Sequence, residues 1–429
     1  MTSGDRGGSR VAHALAATGL AGLLTYVLLA IVSWTVDASE FDDFSVFWSI
    51  ALILGFGFFL PIEQEAARLG RDARVADQVP RATVRVAVET TIAVTLLVCL
   101  SIPLLTGALH LSPGLVACCV GVVLASAVQF SARGAMLASS RSTAFSNTLI
   151  LDTVLRVALL GVVAVGVVVA GLAPAAVWYA VALIVAIIAS HAWALVTTTW
   201  GPKPSPAVVT AFRRAALVLI GMSLCAQIMI NVGPLVIQAL EPDSGLAGAF
   251  QASSTLARIP LALITPVQAM LVVPLAALAL GGDIRGLQRT MRRVSLAAVA
   301  LAVLGGVVGF FLGPWIVELV FGPGRALDHI DLALLVSGVI LNVALIIFTQ
   351  ALIAMGRHRS TLVAWALALA VMAVCFFLVL PGLGVVLAVE LGFGIGSLAG
   401  AAIAFGFLDR AAHTSGSADD GAQDHSGAR

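Results

Sequence analysis

Charge is what this sequence has least of. Asp, Glu, Lys and Arg make up 10% of its 429 residues, against roughly 25% in a soluble globular domain. Between Val11 and Val36 there is none. Lysine is scarcer still: Lys203 stands alone and every other basic side chain is an arginine. Cysteine occurs five times, with no CxxC spacing and no Cys/His cluster. That excludes a disulfide framework and a thiolate metal site, so Cys99, Cys118, Cys119, Cys225 and Cys375 read as small buried hydrophobes. There is no phosphate-cradling loop, catalytic triad or carboxylate pair with catalytic spacing. The expectation is therefore no enzyme activity and no cofactor, and nothing points to nucleic acid as a partner.

In place of charge the chain has hydrophobic length. Hydrophobic residues make up 60% of it, and mean hydropathy is +1.07. A spanning helix needs roughly 20 apolar residues, and most runs here are apolar on all faces, unlike the half-polar helices of soluble cores. The punctuation predicts twelve spans: 11–34, 44–62, 82–106, 113–136, 142–170, 174–199, 211–239, 245–279, 287–320, 327–355, 360–380 and 383–408. The first run is too long for a signal-peptide core and lacks a small-residue cleavage site, so it reads as an uncleaved helix.

Arginine placement orients these spans. With residues 1–10 inside, the cytoplasmic segments hold Arg6, Arg10, Arg68, Arg71, Arg74, Arg81, Arg85, Arg133, Arg141, Lys203, Arg213 and Arg214. The second half adds Arg285, Arg289, Arg292, Arg293, Arg357, Arg359 and Arg410. The opposite loops hold Arg325 against Asp37, Glu40, Asp42, Asp43, Glu241, Asp243, Asp328 and Asp331. Retention of basic residues on the cytoplasmic side predicts a multi-pass protein of the cell membrane with both termini cytoplasmic. The basic loops serve topology, and they also offer a surface to anionic membrane lipids.

The halves repeat. Ala135-Met136-Leu137-Ala138-Ser139-Ser140-Arg141 closes the fourth span, and Ala351-Leu352-Ile353-Ala354-Met355-Gly356-Arg357 closes the tenth. Pro61 and Pro274 each precede an arginine-bearing segment. Six helices separate the copies, an even number, so the repeat is parallel, and such repeats place the substrate path between lobes. The predicted fold is an all-α polytopic membrane protein, about twelve transmembrane helices in two parallel-repeat six-helix lobes. Residues 1–10 form a cytoplasmic N-terminus, 11–199 the N-lobe, 200–210 a proline-broken linker, 211–408 the C-lobe, and 409–429 a disordered cytoplasmic tail.

Several stretches carry a family resemblance. They are Leu20-Ala21-Gly22-Leu23-Leu24-Thr25-Tyr26, Phe44-Ser45-Val46-Phe47-Trp48-Ser49, Leu60-Pro61-Ile62-Glu63-Gln64-Glu65, Arg133-Gly134-Ala135-Met136-Leu137-Ala138 and Ala257-Arg258-Ile259-Pro260. Over nearly the whole chain the sequence resembles the polysaccharide-flippase branch of the multidrug/oligosaccharidyl-lipid/polysaccharide exporter superfamily, as found in actinobacteria. The resemblance implies a cavity lined by helices one, two, seven and eight. Alternating access would then carry a polyprenyl-diphosphate-linked oligosaccharide to the outer leaflet for cell-surface polysaccharide synthesis, beside a polysaccharide polymerase or glycosyltransferases. Cation-coupled drug exporters of the superfamily carry an acid in helix one or seven, and neither span has one here. Arg68-Leu69-Gly70-Arg71-Asp72-Ala73-Arg74 has the charges but not the spacing of the major-facilitator loop. Lipid II flippases have two more helices and cationic residues in helices one and two, which this chain lacks before Arg68. A drug or metabolite exporter and a non-transporting envelope scaffold stay open as alternatives.

The polar residues within the spans are the candidate site. Gln251, Ser254 or Thr255, and Arg258 share one helical face, extended by Thr265. A guanidinium suits diphosphate oxygens; the alternative is a pair with a carboxylate or a cap on carbonyls near Pro260. Ser223, Gln227, Asn231 and Gln238 form a second stripe, for sugar hydroxyls or for helix contacts. Asp152 and Arg156 have the i,i+4 spacing of a structural pair, with Arg156 the second diphosphate candidate otherwise. Glu89 and Glu390 are coupling candidates, since a desolvated carboxylate can carry a proton. Glu63 and Glu65 are gate candidates toward Arg285 or Arg357, or snorkelling interfacial charges. His191 reads as structural, and Gly392, Gly394, Gly396, Ser397 and Gly400 as a packing face.

The topology has a direct test. Cysteines placed at Ser112, Ser244 and Gly382 should react with an impermeant thiol reagent in intact cells, and one at Ser205 should not. Labelling of Ser205 would reverse the orientation.

Overall fold

The computed structural model describes residues 24–198, 200–242, 244–259, 274–279 and 283–424, together with residues 19, 22, 272 and 281. Arg6, Arg10, Thr199, Asp243, Pro260 and Thr265 lie outside the described residues. The chain is all helical, with no strand among the described residues. Ten helices are long and apolar enough to cross a membrane. They are α2 (Ala38–Leu69), α3 (Val79–Leu100), α4 (Pro113–Ala138), α5 (Ser142–Ala170), α6 (Ala175–Val196), α7 (Pro206–Leu240), α9 (Ile284–Phe321), α10 (His329–Ala354), α11 (His358–Leu383) and α12 (Val385–Asp424). The other two expected spans are described in part, as α1 (Leu24–Thr35) and α8 (Leu246–Ala257).

Local chemistry sets the ends. Asp37 accepts the Glu40 N–H at 2.9 Å to start α2. Ser112 and Ser205 accept the N–H groups of Leu115 and Val208, each followed by a proline at the first helical position, where a missing N–H costs nothing. Gly171 closes α5 at φ +64°. The tail was expected to be disordered, but α12 continues through Asp424. Extending a formed helix needs no new nucleus.

α2 starts earlier than expected and passes through Pro61 without breaking. The reason is a π-turn at Gly55–Phe59. There the Leu60 N–H reaches back five residues to Gly55 O. The next donor would be Pro61, which has none, so Phe56 O loses its helical partner. Ser223 of α7 supplies one, its Oγ donating to Phe56 O at 2.8 Å. The approach is tight, since a Cβ on Gly57 would sit 2.7 Å from Leu224 Cδ2.

Two compact units divide the chain: Met1–Ala252 with Glu318–Arg325, and Ser253–Val317 with Ala326–Arg429. In the first, α4 packs against α2, α3 and α6, and α7 against α2. The expected linker is held within this unit: the Ser205 N–H donates to Gln78 Oε1 at 2.9 Å. In the second, α12 packs against α10 and α11. Its glycines allow the close approach expected of them, with a Cβ on Gly396 falling 2.8 Å from Ala368 O. Asn342 Nδ2 donates to Ser397 Oγ at 3.1 Å. α5, α9 and α11 turn apolar side chains outward, Val169 and Leu378 being 79% and 77% exposed, as lipid contact requires. Cys99 departs from expectation by being exposed, while Cys118 and Cys119 are buried.

The sequence repeat has a structural counterpart. At the α4–α5 turn Ser139 has φ −89°, ψ 12° and Arg141 φ −88°, ψ 55°. At α10–α11, Met355 has φ −84°, ψ 3° and Arg357 φ −89°, ψ 54°. Between them Ser140 and Gly356 are left-handed, at φ +55° and +73°. The Arg141 N–H donates to Met136 O and the Arg357 N–H to Leu352 O, both at 2.9 Å.

Ser223→Ala should leave Phe56 O unpaired and cost about 1–3 kcal/mol, read by thermal unfolding in micelles. Ser223→Thr, which keeps the donor, should lose much less.

Candidate functional site

Polar groups inside the first unit gather around α2. Ser49 Oγ donates to Gln251 Oε1 at 3.0 Å, and Gln251 is 1% exposed. About two turns further along α2 comes the Ser223 bond to Phe56 O. Both predicted stripes therefore dock on one line of α2, and for Ser223 and Gln251 these bonds are helix contacts. In α7 the Asn231 amide donates to Gln227 O at 3.1 Å and to Gln227 Oε1 at 2.9 Å, so that pair supports itself. Gln238 is buried with Oε1 lacking a partner among the described residues.

Arg258 departs from the expected register. α8 ends at Ala257, and Arg258 sits in a turn with its N–H on Thr255 O at 3.2 Å. A proline at position 260 can offer no helical N–H. The shared helical face therefore runs through Gln251, Ser254 and Thr255, all buried, and stops before the half-buried Arg258.

Arg156 is paired. Its Nη2 lies 2.6 Å from Asp152 Oδ2 and its Nε donates to Oδ1 at 3.1 Å. Ser190 of α6 donates to Asp152 Oδ1 at 3.0 Å and lies 2.9 Å from His191 Nδ1. His191, expected to be structural, is fully buried in this network. Its Nδ1 faces Ile187 O at 2.9 Å, which places the ring proton there, and Nε2 has no partner among the described residues. Arg156 also lines a pocket of about 60 Å³ with Phe47, Trp48, Phe56, Ser126, Gln129 and Phe130. That is room for a few waters or one polar substituent, beneath an arginine already neutralised by Asp152.

The acidic candidates separate into two kinds. Glu89, expected to be desolvated, is 39% exposed and clamps Arg213 of α7 at 2.9 and 3.0 Å. Arg213 is 124 residues away, so no helical spacing could disclose the pair. Glu63 and Glu65, placed opposite Arg285 or Arg357 on sequence grounds, have partners in their own unit. Glu63 meets Arg133 of α4 at 2.9 Å, whose guanidinium lies over Phe130 and Phe145. Glu65 meets Arg68 at 2.6 Å. Glu390, 1% exposed like Glu65, differs in lying near another carboxyl, that of Asp331 of α10. Neither Glu390 oxygen has a hydrogen-bond donor among the described residues.

Sequence reasoning gave no weight to one further cluster. Arg325, 9% exposed, donates to Ser33 O at 3.3 Å and Val36 O at 2.8 Å, the free carbonyls at the end of α1. It lies 4.8 Å from the Phe41 ring centre. Burial lowers its affinity for a proton, while Asp42 and Asp37 raise it. Asp42 also caps α8, accepting the Gly245 and Gly248 N–H groups at 2.8 and 2.7 Å. Ser33 Oγ donates to Phe321 O at 2.6 Å and Trp34 Nε1 to Val320 O at 2.8 Å.

With this geometry the chain is similar to solved transporters. An inward-facing multidrug resistance MATE family transporter of the MOP superfamily matches with TM-score 0.69 at 14% identity, over 92% of this chain and 95% of that one. A MOP superfamily transporter from Pyrococcus furiosus, described as having reversed binding-pocket polarity that suggests a different function, matches with TM-score 0.63 at 13% identity, over 93% and 95%. The chain has the helical fold of MATE transporters. No family model matches it. An uncharacterized protein of Mycobacterium tuberculosis is 28% identical over 387 residues, 86% of this chain and 85% of that protein. Another from the same organism is 24% identical over 396 residues, 85% of each.

Removing one member of the Asp152–Arg156 pair strands a buried charge. Asp152→Leu or Arg156→Leu should each cost about 3–5 kcal/mol, and the double variant should recover most of it. The check is a double-mutant cycle on unfolding in micelles.

Proposed function

We propose that this protein is a membrane transporter that moves a polyprenyl-diphosphate-linked oligosaccharide from the cytoplasmic to the outer leaflet by alternating access. The MATE fold supports a transporter. The substrate class rests on one observation, the distribution of charge on α1, α7 and α8. Neither α1 nor α7 has an acid for a cationic drug, whereas Arg258 follows directly on α8, whose buried face carries Gln251, Ser254 and Thr255. A guanidinium recognises diphosphate bidentately, and the amides Gln227 and Asn231 suit sugar hydroxyls. Arg156 is a secondary contact through the pocket it lines. The protein works in the cell membrane with both termini cytoplasmic, and a polysaccharide polymerase or glycosyltransferases are its natural partners.

One observation favours a second reading. Glu390 is buried beside the half-buried Asp331 and, unlike Glu63, Glu65 and Asp152, is in none of the ion pairs among the described residues; proton-coupled export of a drug or metabolite would use such a group. Under either reading Glu390 is the coupling residue, and Glu89, Glu63 and Glu65 serve the architecture through their arginines.

Arg258→Ala should abolish export with normal membrane abundance, and Arg258→Lys should restore part of it, a point charge replacing a fork. Gln227→Ala and Gln251→Ala should cost less, since a neutral hydrogen bond nets about 0.5–1.5 kcal/mol. The readout is lipid-linked glycan accumulating on the cytoplasmic face. Normal export by a well-expressed Arg258→Ala protein would overturn the assignment.

A further inference from the structure

Two adjoining cavities in the second unit play no part in the transport reading. The wider, of about 410 Å³, is lined by Gln288, Arg292, Ser295, Leu296 and Val299 of α9 and Phe405 of α12. That is the size of a small-molecule site, roughly 300–1,000 Å³. The other, of about 240 Å³, shares Ser295, Val299 and Phe405 and continues to Leu341 and Leu398. Together they form one groove along α9 and α12, polar at one end and apolar beyond Ser295.

The chemistry of the two ends selects the occupant. At the polar end Arg292 is exposed, and the ion pairs among the described residues do not include it. Arg285, Arg289 and Arg293 lie within the same first turns of α9, so this end is strongly cationic. The nearby acid, Asp409, is engaged by Gln288 Nε2 at 2.7 Å and lies 3.9 Å from His413 Nε2. A guanidinium there is available to a phosphate oxygen. Beyond Ser295 the walls offer no polar side chain, which excludes sugars and free phosphate as full occupants. Leu296, Val299 and Leu398 are 60%, 47% and 50% exposed, surface that a hydrocarbon chain would cover. By the charge rule this end of α9 faces the cytoplasmic leaflet, where anionic lipids collect at basic juxtamembrane segments.

We propose that the α9–α12 groove binds an anionic phospholipid of the surrounding leaflet, with its phosphate on Arg292 and one acyl chain along Val299, Leu398 and Phe405. The lipid is a bound cofactor of the bilayer and not the transported substrate, so the site stands whether or not the export experiment succeeds.

The test uses the full chain purified in a non-ionic detergent, incubated with phosphatidylglycerol or phosphatidylcholine and measured by native mass spectrometry. The wild type and an Arg359→Gln control should retain phosphatidylglycerol and not phosphatidylcholine. Arg292→Gln should retain about fivefold less, the weight of one basic residue near an anionic headgroup. Val299→Trp should lose the adduct by filling the groove, and Ala402→Phe, from the opposite wall, should do the same if the first variant proves unstable. Monodispersity and melting temperature establish that each variant is folded. Equal retention of the two lipids, or undiminished retention by either groove-filling variant, would overturn the proposal. So would a co-purified polyprenyl phosphate holding the site against phosphatidylglycerol.

Discussion

A single carbonyl oxygen organises the first unit. In hydrocarbon a backbone group without a partner is costly, and a spanning helix normally avoids this by bonding to itself. The π-turn of α2 ends against Pro61, so Phe56 O must look elsewhere, and it finds Ser223. That bond fixes α7 along α2, with Gly57 permitting the contact. Ser49 holds α8 to the same helix in the same way. α2 is thus the post to which the polar residues of α7 and α8 are tied.

Much of the architecture was legible because its causes are local. Apolar length, proline and serine at helix starts, and left-handed residues at ends mark most of the helices. The repeat was readable in the residue pattern that closes α4 and α10, and its shared left-handed position, Ser140 in one copy and Gly356 in the other, came only with the structure. The packing role of the α12 glycines followed from their spacing. The π-turn was not foreseen, although a Gly-Phe-Gly-Phe-Phe run directly ahead of a proline is a usable signal for one.

The candidate site was less legible because its partners are distant in sequence. Asp152 and Arg156 are four apart and were paired correctly, yet Ser190, 38 residues on, adds the hydrogen bond that links them to His191. Glu63 found Arg133, and Glu89 found Arg213, across separations that carry no periodicity. Arg258 was assigned to a face that its own backbone leaves. Helical geometry presumes an unbroken helix, and a proline two residues downstream removes that premise.

Arg325 sets an order of assembly. Its hydrogen bonds and its ring contact go to residues near the start of the chain, some 290 residues earlier by the spacing of its bond to Ser33. At about 5–20 residues per second, the ribosome takes on the order of 15–60 s to cover that distance. For that interval the last carbonyls of α1 lack the guanidinium that holds them. The clasp arrives after its seat, so the first helices complete their fold only when most of the chain has been made.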